Sequence, residues 1–142
     1  MEVDESELSN RLLEIEYIRR ELENYISGIN TLQLTQETIQ KSLDGLGRLG
    51  KNGKDIMIPY SPEIFFMGTI TDTSTAMVSI GSNIFKKYGV KHLEEKLQSD
   101  MNEVSKNIEQ MAAIIQQLQE RGAKIEQETS KLYEEYQNSL NK

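Results

Sequence analysis

The chain has 142 residues, a formal charge of −7 at pH 7, no cysteine and a single histidine, His92. This composition excludes disulfides and thiolate chemistry, leaves no ligand set for most zinc sites, and argues against nucleic-acid binding, which needs a basic footprint. No apolar run approaches the ~20 residues that cross a membrane, and the acidic start Met1-Glu2-Val3-Asp4-Glu5 is unlike a signal or transit peptide, so a cytoplasmic protein without membrane association is expected.

Charge divides the chain by segment. Residues 1–43 carry −5, residues 44–89 carry +1 and residues 90–142 carry −3. Apolar residues run along seams in the two acidic segments rather than gathering for one globular core, which predicts an elongated molecule.

Asp4 and Glu7 have the spacing of a capping box, and the acids there suit the positive end of a helix dipole. From Leu8 two positions repeat every seven residues. One reads Leu8, Ile15, Leu22, Ile29, Gln36, Leu43, and the other Arg11, Ile18, Tyr25, Leu32, Ile39, Leu46. Apolar residues at alternating spacings of three and four make the seam of a left-handed coiled coil, and residues 1–46 are expected to form one helical arm, roughly 60 Å long at 1.5 Å per residue.

Residues 47–54 make a glycine-rich connector. Within Asp44 to Lys54, the residues Gly45, Gly50 and Lys51 match the start of a phosphate-binding loop. Asn52 stands where that loop needs Ser or Thr for magnesium, and a helix before with a strand after inverts the required order. A helix stop followed by a turn is the expected reading, and no cofactor is expected.

Residues 55–88 are the one stretch with a β pattern. Residues 56–59, 64–67, 76–80 and 83–85 are short β-branched and aromatic runs, separated by Tyr60-Ser61-Pro62, Thr71-Asp72-Thr73-Ser74 and Gly81-Ser82. They predict four antiparallel strands in two hairpins. Ile64, Phe66 and Ile70 fall on one face of their strand while Phe65 and Met67 fall on the other, so both faces are expected to be covered. Gly68 is a candidate bulge. A sheet this small cannot cover itself, and the missing layer is expected from other subunits, through Ile56, Ile58, Ile64, Phe65, Phe66, Ile70, Val78, Ile80 and Ile84.

Residues 89–142 form the second arm. Its seam reads Val90, Leu97, Val104, Met111, Leu118, Ile125, Leu132, Ser139 and Glu94, Met101, Ile108, Ile115, Gly122, Thr129, Tyr136. Folded back as an antiparallel coiled coil, the arms should pair residues whose numbers sum to about 136, placing Ile15 near Gly122 and Leu8 near Glu128. The seam loses bulk at Gly122 and Thr129. Tyr133, Tyr136 and Leu140 then lie at or past the free end, and Leu8, Leu12, Leu13 and Ile15 give more apolar surface than a two-position seam buries. Such an end suits reversible contact with apolar segments of another chain, or is a frayed coiled-coil terminus.

The overall expectation is an α+β chain: a long antiparallel coiled-coil hairpin with a small four-stranded antiparallel β region between the arms, assembling into an intersubunit β-barrel. The central residues are more specific than this outline. Residues 56–60, the run Phe66 to Thr73, the run Met77 to Gly81 and the run Ile84 to Tyr88 resemble the sheet of archaeal α-class prefoldin subunits, with a hydrophobic-Pro strand, a strand ending in Asp-Thr, a Val-x-Ile-Gly turn and a strand ending in lysines. Two hairpins rather than one point to the α class. The resemblance implies an ATP-independent chaperone subunit, two α with four β-class subunits joined through a double β-barrel platform. It implies coiled coils whose tips hold unfolded client proteins and deliver them to a group II chaperonin in the cytosol. No catalytic residue carries over, and the tip assignments rest on the arm register alone.

Two other readings stand beside this one. A structural coiled-coil adaptor would bind one folded partner. An enzyme is the weakest reading, because the acids lie on solvated helical faces at spacings suited to ion pairs with lysine. His92 and the pairs Glu94-Glu95 and Glu134-Glu135 read as helix-surface residues.

Overall fold

The computed structural model describes residues 4–49 and 55–142. The order is helix α1 (Glu5–Leu49), strands β1 (Ile56–Ser61), β2 (Ile64–Gly68), β3 (Thr75–Ser79) and β4 (Phe85–Gly89), and helix α2 (Val90–Leu140). The chain divides into a helical unit, Met1–Gln33 with Lys106–Lys142, and a ribbon unit, Leu34–Ser105.

In the helical unit α1 starts on Asp4, whose carboxylate accepts the Ser6 amide (3.0 Å) and the Ser6 hydroxyl (2.9 Å). These bonds satisfy a first-turn N–H and hold the Asp4 carboxyl below its usual pKa, the backbone bond being the larger cause. The capping-box spacing pointed to the Glu7 amide, but that amide donates to the Asp4 carbonyl instead (3.0 Å).

The two helices of this unit run antiparallel and meet along the heptad seam. Ile18, Ile125 and Thr129 are the most buried, at 2%, 5% and 7% exposure. Ile18 reaches this depth because Gly122 faces it: a Cβ on that glycine would stand 3.3 Å from Ile18 Cγ2. Gly28 receives Met111 in the same way, its Cβ position 3.4 Å from Sδ. The Thr129 hydroxyl donates to the Ile125 carbonyl (2.7 Å), so its burial leaves no polar atom unpaired. The seam is therefore tight at Gly122, where Ile18 on α1 fills the space, and Thr129 is buried, although loss of bulk at both had suggested a loose seam.

The register also departs from expectation. Gly122 meets Ile18 rather than Ile15, and Glu128 pairs with Arg11 at 3.2 Å rather than lying beside Leu8. Paired residue numbers sum to about 140 here, and Gln36 with Ser105 in the ribbon unit gives nearly the same value, a displacement of about one helical turn. α1 itself extends past Leu46 to Leu49, three residues beyond the expected arm.

In the ribbon unit the helices are packed around Met101, and a polar pair crosses the seam where Gln36 Nε2 donates to Ser105 Oγ (3.2 Å). The strands form two separate two-stranded antiparallel ribbons, β1-β2 and β3-β4, rather than one sheet. β1 runs through Tyr60 and Ser61, which had been read as a turn, so the turn is Pro62-Glu63. The register slips between Pro59 and Ser61, while Gly68, the candidate bulge, pairs regularly with Ile56. Gly68 instead makes room for Ile58, whose side chain a Cβ there would strike.

The β3-β4 turn lies one step later than expected. Ser82 and Asn83 both have positive φ (51° and 58°) and the Ile84 amide donates to the Gly81 carbonyl (2.9 Å), a type I′ turn. Ile84 thus closes the turn, and β4 begins at Phe85. At the far end the Val90 amide donates to the Ser74 carbonyl (2.8 Å), so the ladder passes into α2 without a loop.

Candidate functional site

Two groups of residues have apolar surface with no cover within the described chain. The first is the terminal end of the helical unit, formed by the start of α1 and the close of α2. Leu12, Leu13, Tyr133 and Leu140 are exposed at 55%, 65%, 51% and 67%, while Leu8, Ile15 and Tyr136 are half-buried on the seam. Leu8, Leu12, Thr129, Ser130, Tyr133 and Glu134 line a cleft of about 420 Å³. A second cleft, about 550 Å³, has Leu12, Ile15, Glu16 and Arg19 opposite Glu126, Thr129 and Ser130. A third, about 300 Å³, reaches from Ile15 to Leu22 against Gln119, Gly122, Ala123 and Glu126. Leu8, Leu12, Ile15 and Tyr133 therefore come together, whereas Leu13, Tyr136 and Leu140 line none of these clefts.

The two flanks of the seam differ. On one, Arg121 Nη2 lies 2.6 Å from Glu14 Oε1 and Arg11 pairs with Glu128 at 3.2 Å. The other is the cleft side, where the heptad positions next to the seam are Leu12, Arg19 and Ile26 on α1 and Gln119, Glu126, Tyr133 and Leu140 on α2. Its one ion pair, Arg19 with Glu126, is longer (3.6 Å) and exposed. The lining residues Thr129, Ser130 and Glu126 were not legible as site residues. Their contribution depends on the register of the opposite helix, although the two-heptad spacing of Leu12 with Ile26 and the one-heptad spacing of Tyr133 with Leu140 was a usable signal.

The second group is the pair of ribbons. Along β2, Ile64, Phe65, Phe66 and Met67 are all 46–64% exposed, so both faces are apolar and open. Ile58, Ile80 and Ile84 are exposed, as is Ile70 in the connection after β2, while Ile56 and Val78 are half-buried. Tyr60 sets its ring edge-on to Phe66 (5.4 Å between centroids), which orders this surface without covering it. A two-stranded ribbon is marginal in water by itself, and these faces have no cover within the described chain. The connection between the ribbons is held by Asp72, which accepts the Ser74 amide (2.9 Å), the Ser74 hydroxyl (2.5 Å) and the Thr75 hydroxyl (2.8 Å). Those bonds, the Ser74 hydroxyl first, lower its pKa to about 2.

Among the described residues no three metal-ligating side chains cluster, and His92 is exposed, stacked on Tyr88 (5.9 Å). Gly45 of the phosphate-loop match lies within α1, and Gly50, Lys51 and Asn52 lie outside the described residues. No described helix is long and apolar enough to cross a membrane.

Comparison with known proteins agrees with this geometry. No curated protein sequence matches the chain. Among solved structures it is similar to filamentous PFD from Methanocaldococcus jannaschii, seen by cryo-EM, with a TM-score of 0.64 and 19% identity over 82% of this chain and 95% of that one. At that identity the likeness shows the fold: two long helices with two small antiparallel hairpins between them. The Prefoldin family, described as prefoldin subunit, matches residues 18–135, which take in most of both helices and all four strands. The chain belongs to the prefoldin family.

Proposed function

We propose that the protein is the α-type subunit of an ATP-independent holdase that captures unfolded proteins at the terminal end of the helical unit and passes them to a group II chaperonin in the cytosol. Family membership supports a chaperone-type role. The observation that carries the finer reading is the apolar surface of Leu12, Tyr133 and the neighbouring clefts, left open at the terminal end of the helical unit. Reversible capture needs such surface where a client can reach it.

Two ribbons rather than one support the α-type assignment. In this reading their open faces, with Phe65, Phe66, Ile58 and Ile84, join β-class subunits in a barrel platform, two α with four β. Several weak capture ends on one platform then act at high effective concentration, which supplies affinity without a deep pocket.

The test dilutes a chemically denatured client into buffer without ATP and follows light scattering, with this chain alone and with a candidate β-class subunit, while the mass of the complex is measured. Suppressed aggregation by a hexamer-sized complex is expected. Deleting residues 1–12 and 132–142 should abolish protection while leaving the number of subunits in the complex unchanged. Protection that survives the deletion removes the capture assignment.

A further inference from the structure

Resting on the holdase reading, we propose that capture occurs on the cleft flank of the helical unit, and that this flank takes cationic amphipathic helices in preference to extended segments. Three observations converge. The clefts succeed one another along one side of the seam, from Leu8 and Tyr133 to Leu22 and Gln119, and so form a groove parallel to α1 and α2. Its floor leaves room for an incoming side chain because α2 places small residues there, Gly122, Ala123, Thr129 and Ser130. The opposite flank is closed by the Arg121–Glu14 and Arg11–Glu128 pairs.

The preference for a helix follows from backbone hydrogen bonding. The walls of the groove are helices, whose N–H and C=O groups are already bonded within each helix, so they present no edge to which a strand can pair. An extended segment laid there brings unpaired amides against Leu12, Ile15 and Tyr133. A helix arrives with its backbone satisfied, and apolar residues at i, i+4 and i+7 follow the turns of the walls.

Charge sets the sign. Glu16, Glu126 and Glu134 line the groove against a single cation, Arg19, which Glu126 already engages. Lysines flanking the apolar stripe of an incoming helix meet these carboxylates, and glutamates meet repulsion.

The experiment uses the full assembly and three labelled peptides of equal hydrophobicity: leucines at helical period with flanking lysines, the same with flanking glutamates, and leucines alternating with lysines at strand period. Fluorescence anisotropy should show the first binding about tenfold more tightly than either other, the margin over the glutamate peptide shrinking with salt. Leu12→Ser with Tyr133→Ser should weaken the first peptide by about tenfold, while Tyr17→Ser with Leu34→Ser, exposed residues outside the groove, should change it less than about twofold. Equal binding of all three peptides, or equal loss in the two double variants, overturns the proposal. So does a fall in assembly mass in the Leu12/Tyr133 variant, which would make the groove a contact between subunits. The denatured-client assay separates the two readings: wild-type protein without protection defeats the holdase reading, whereas protection with no peptide preference defeats only this one.

Discussion

The helical unit and the ribbon unit answer the same problem, how to keep apolar residues from water, in opposite ways. In the helical unit the answer is internal: Ile18 fills the space that Gly122 leaves, Met111 packs over Gly28, and Thr129 bonds its own helix. In the ribbon unit β2 presents Ile64, Phe65, Phe66 and Met67 on two open faces, and each such side chain gives up about 1.5–3 kcal/mol that burial would supply. The helical unit closes its seam with its own side chains and leaves only its surface and terminal end open. The ribbon faces stay open within the described chain, and stability should respond to mutation accordingly.

The largest effect should come from charging the ribbon faces. Phe65→Asp with Phe66→Asp places a carboxylate on each side of β2, and desolvating two unpaired charges is prohibitive in any packed interface. The complex with a β-class subunit is expected to dissociate completely in sedimentation, while the 222 nm helix signal and its melting hold. A complex of unchanged mass would show that β2 is not an assembly face. The matching change in the helical unit is Ile18→Ala, which should lower stability by about 3 kcal/mol because Gly122 opposite has no side chain to fill the cavity. Ile26→Ala, on an exposed residue of the same helix, should cost under about 0.5 kcal/mol in the same thermal melt.

The two seam glycines sharpen the contrast further. At Gly122 an added Cβ stands within 3.3 Å of Ile18, and Gly122→Val should cost about 1–3 kcal/mol through overpacking. At Gly28 the nearest atom is the flexible Met111 thioether, at ordinary contact distance, so Gly28→Ala should gain about 0.5–1 kcal/mol of helix propensity. Thermal melts with opposite shifts are expected. Shifts of the same sign would mean that the two glycines are not distinguished by packing.

How far these arrangements were legible depends on whether they are local. The seam was readable: all twelve of its α1 positions, from Leu8 to Leu46, are buried or half-buried, because a seven-residue apolar repeat has one way to sit against a second helix. The register was not, because Gly45 and Gly47 read as a helix stop. Packing of Leu46 and Leu49 outweighs that propensity and carries α1 onward by most of a turn. In the ribbons, Ile84 read as strand from its β-branched side chain, whereas the positive φ of Ser82 and Asn83 makes it the closing residue of the turn. Of the candidate site, the apolar excess at Leu8, Leu12 and Tyr133 was visible in the sequence. Which flank is open was hidden, since an open flank is a relation between two helices whose offset the heptads do not set.

The smallest effect concerns Asp72, where the ribbon unit does satisfy itself. Its three acceptor bonds lower its pKa from 3.8 to about 2. A carboxylate with a depressed pKa stabilises the fold fully above its unfolded value of 3.8, and that contribution fades as pH falls from there through about 2. The group is solvent-exposed, so the expected consequence is local: the Ser74 and Thr75 amide resonances should titrate with a midpoint near 2 rather than 3.8, while residues around Ile18 do not move. Asp72→Ala should remove the titration and speed amide exchange at Ser74, leaving the melting of the helices as it was. A midpoint at 3.8 would mean that the Asp72 bonds do not persist in solution and that the connection between the ribbons, like their faces, waits for a partner to order it.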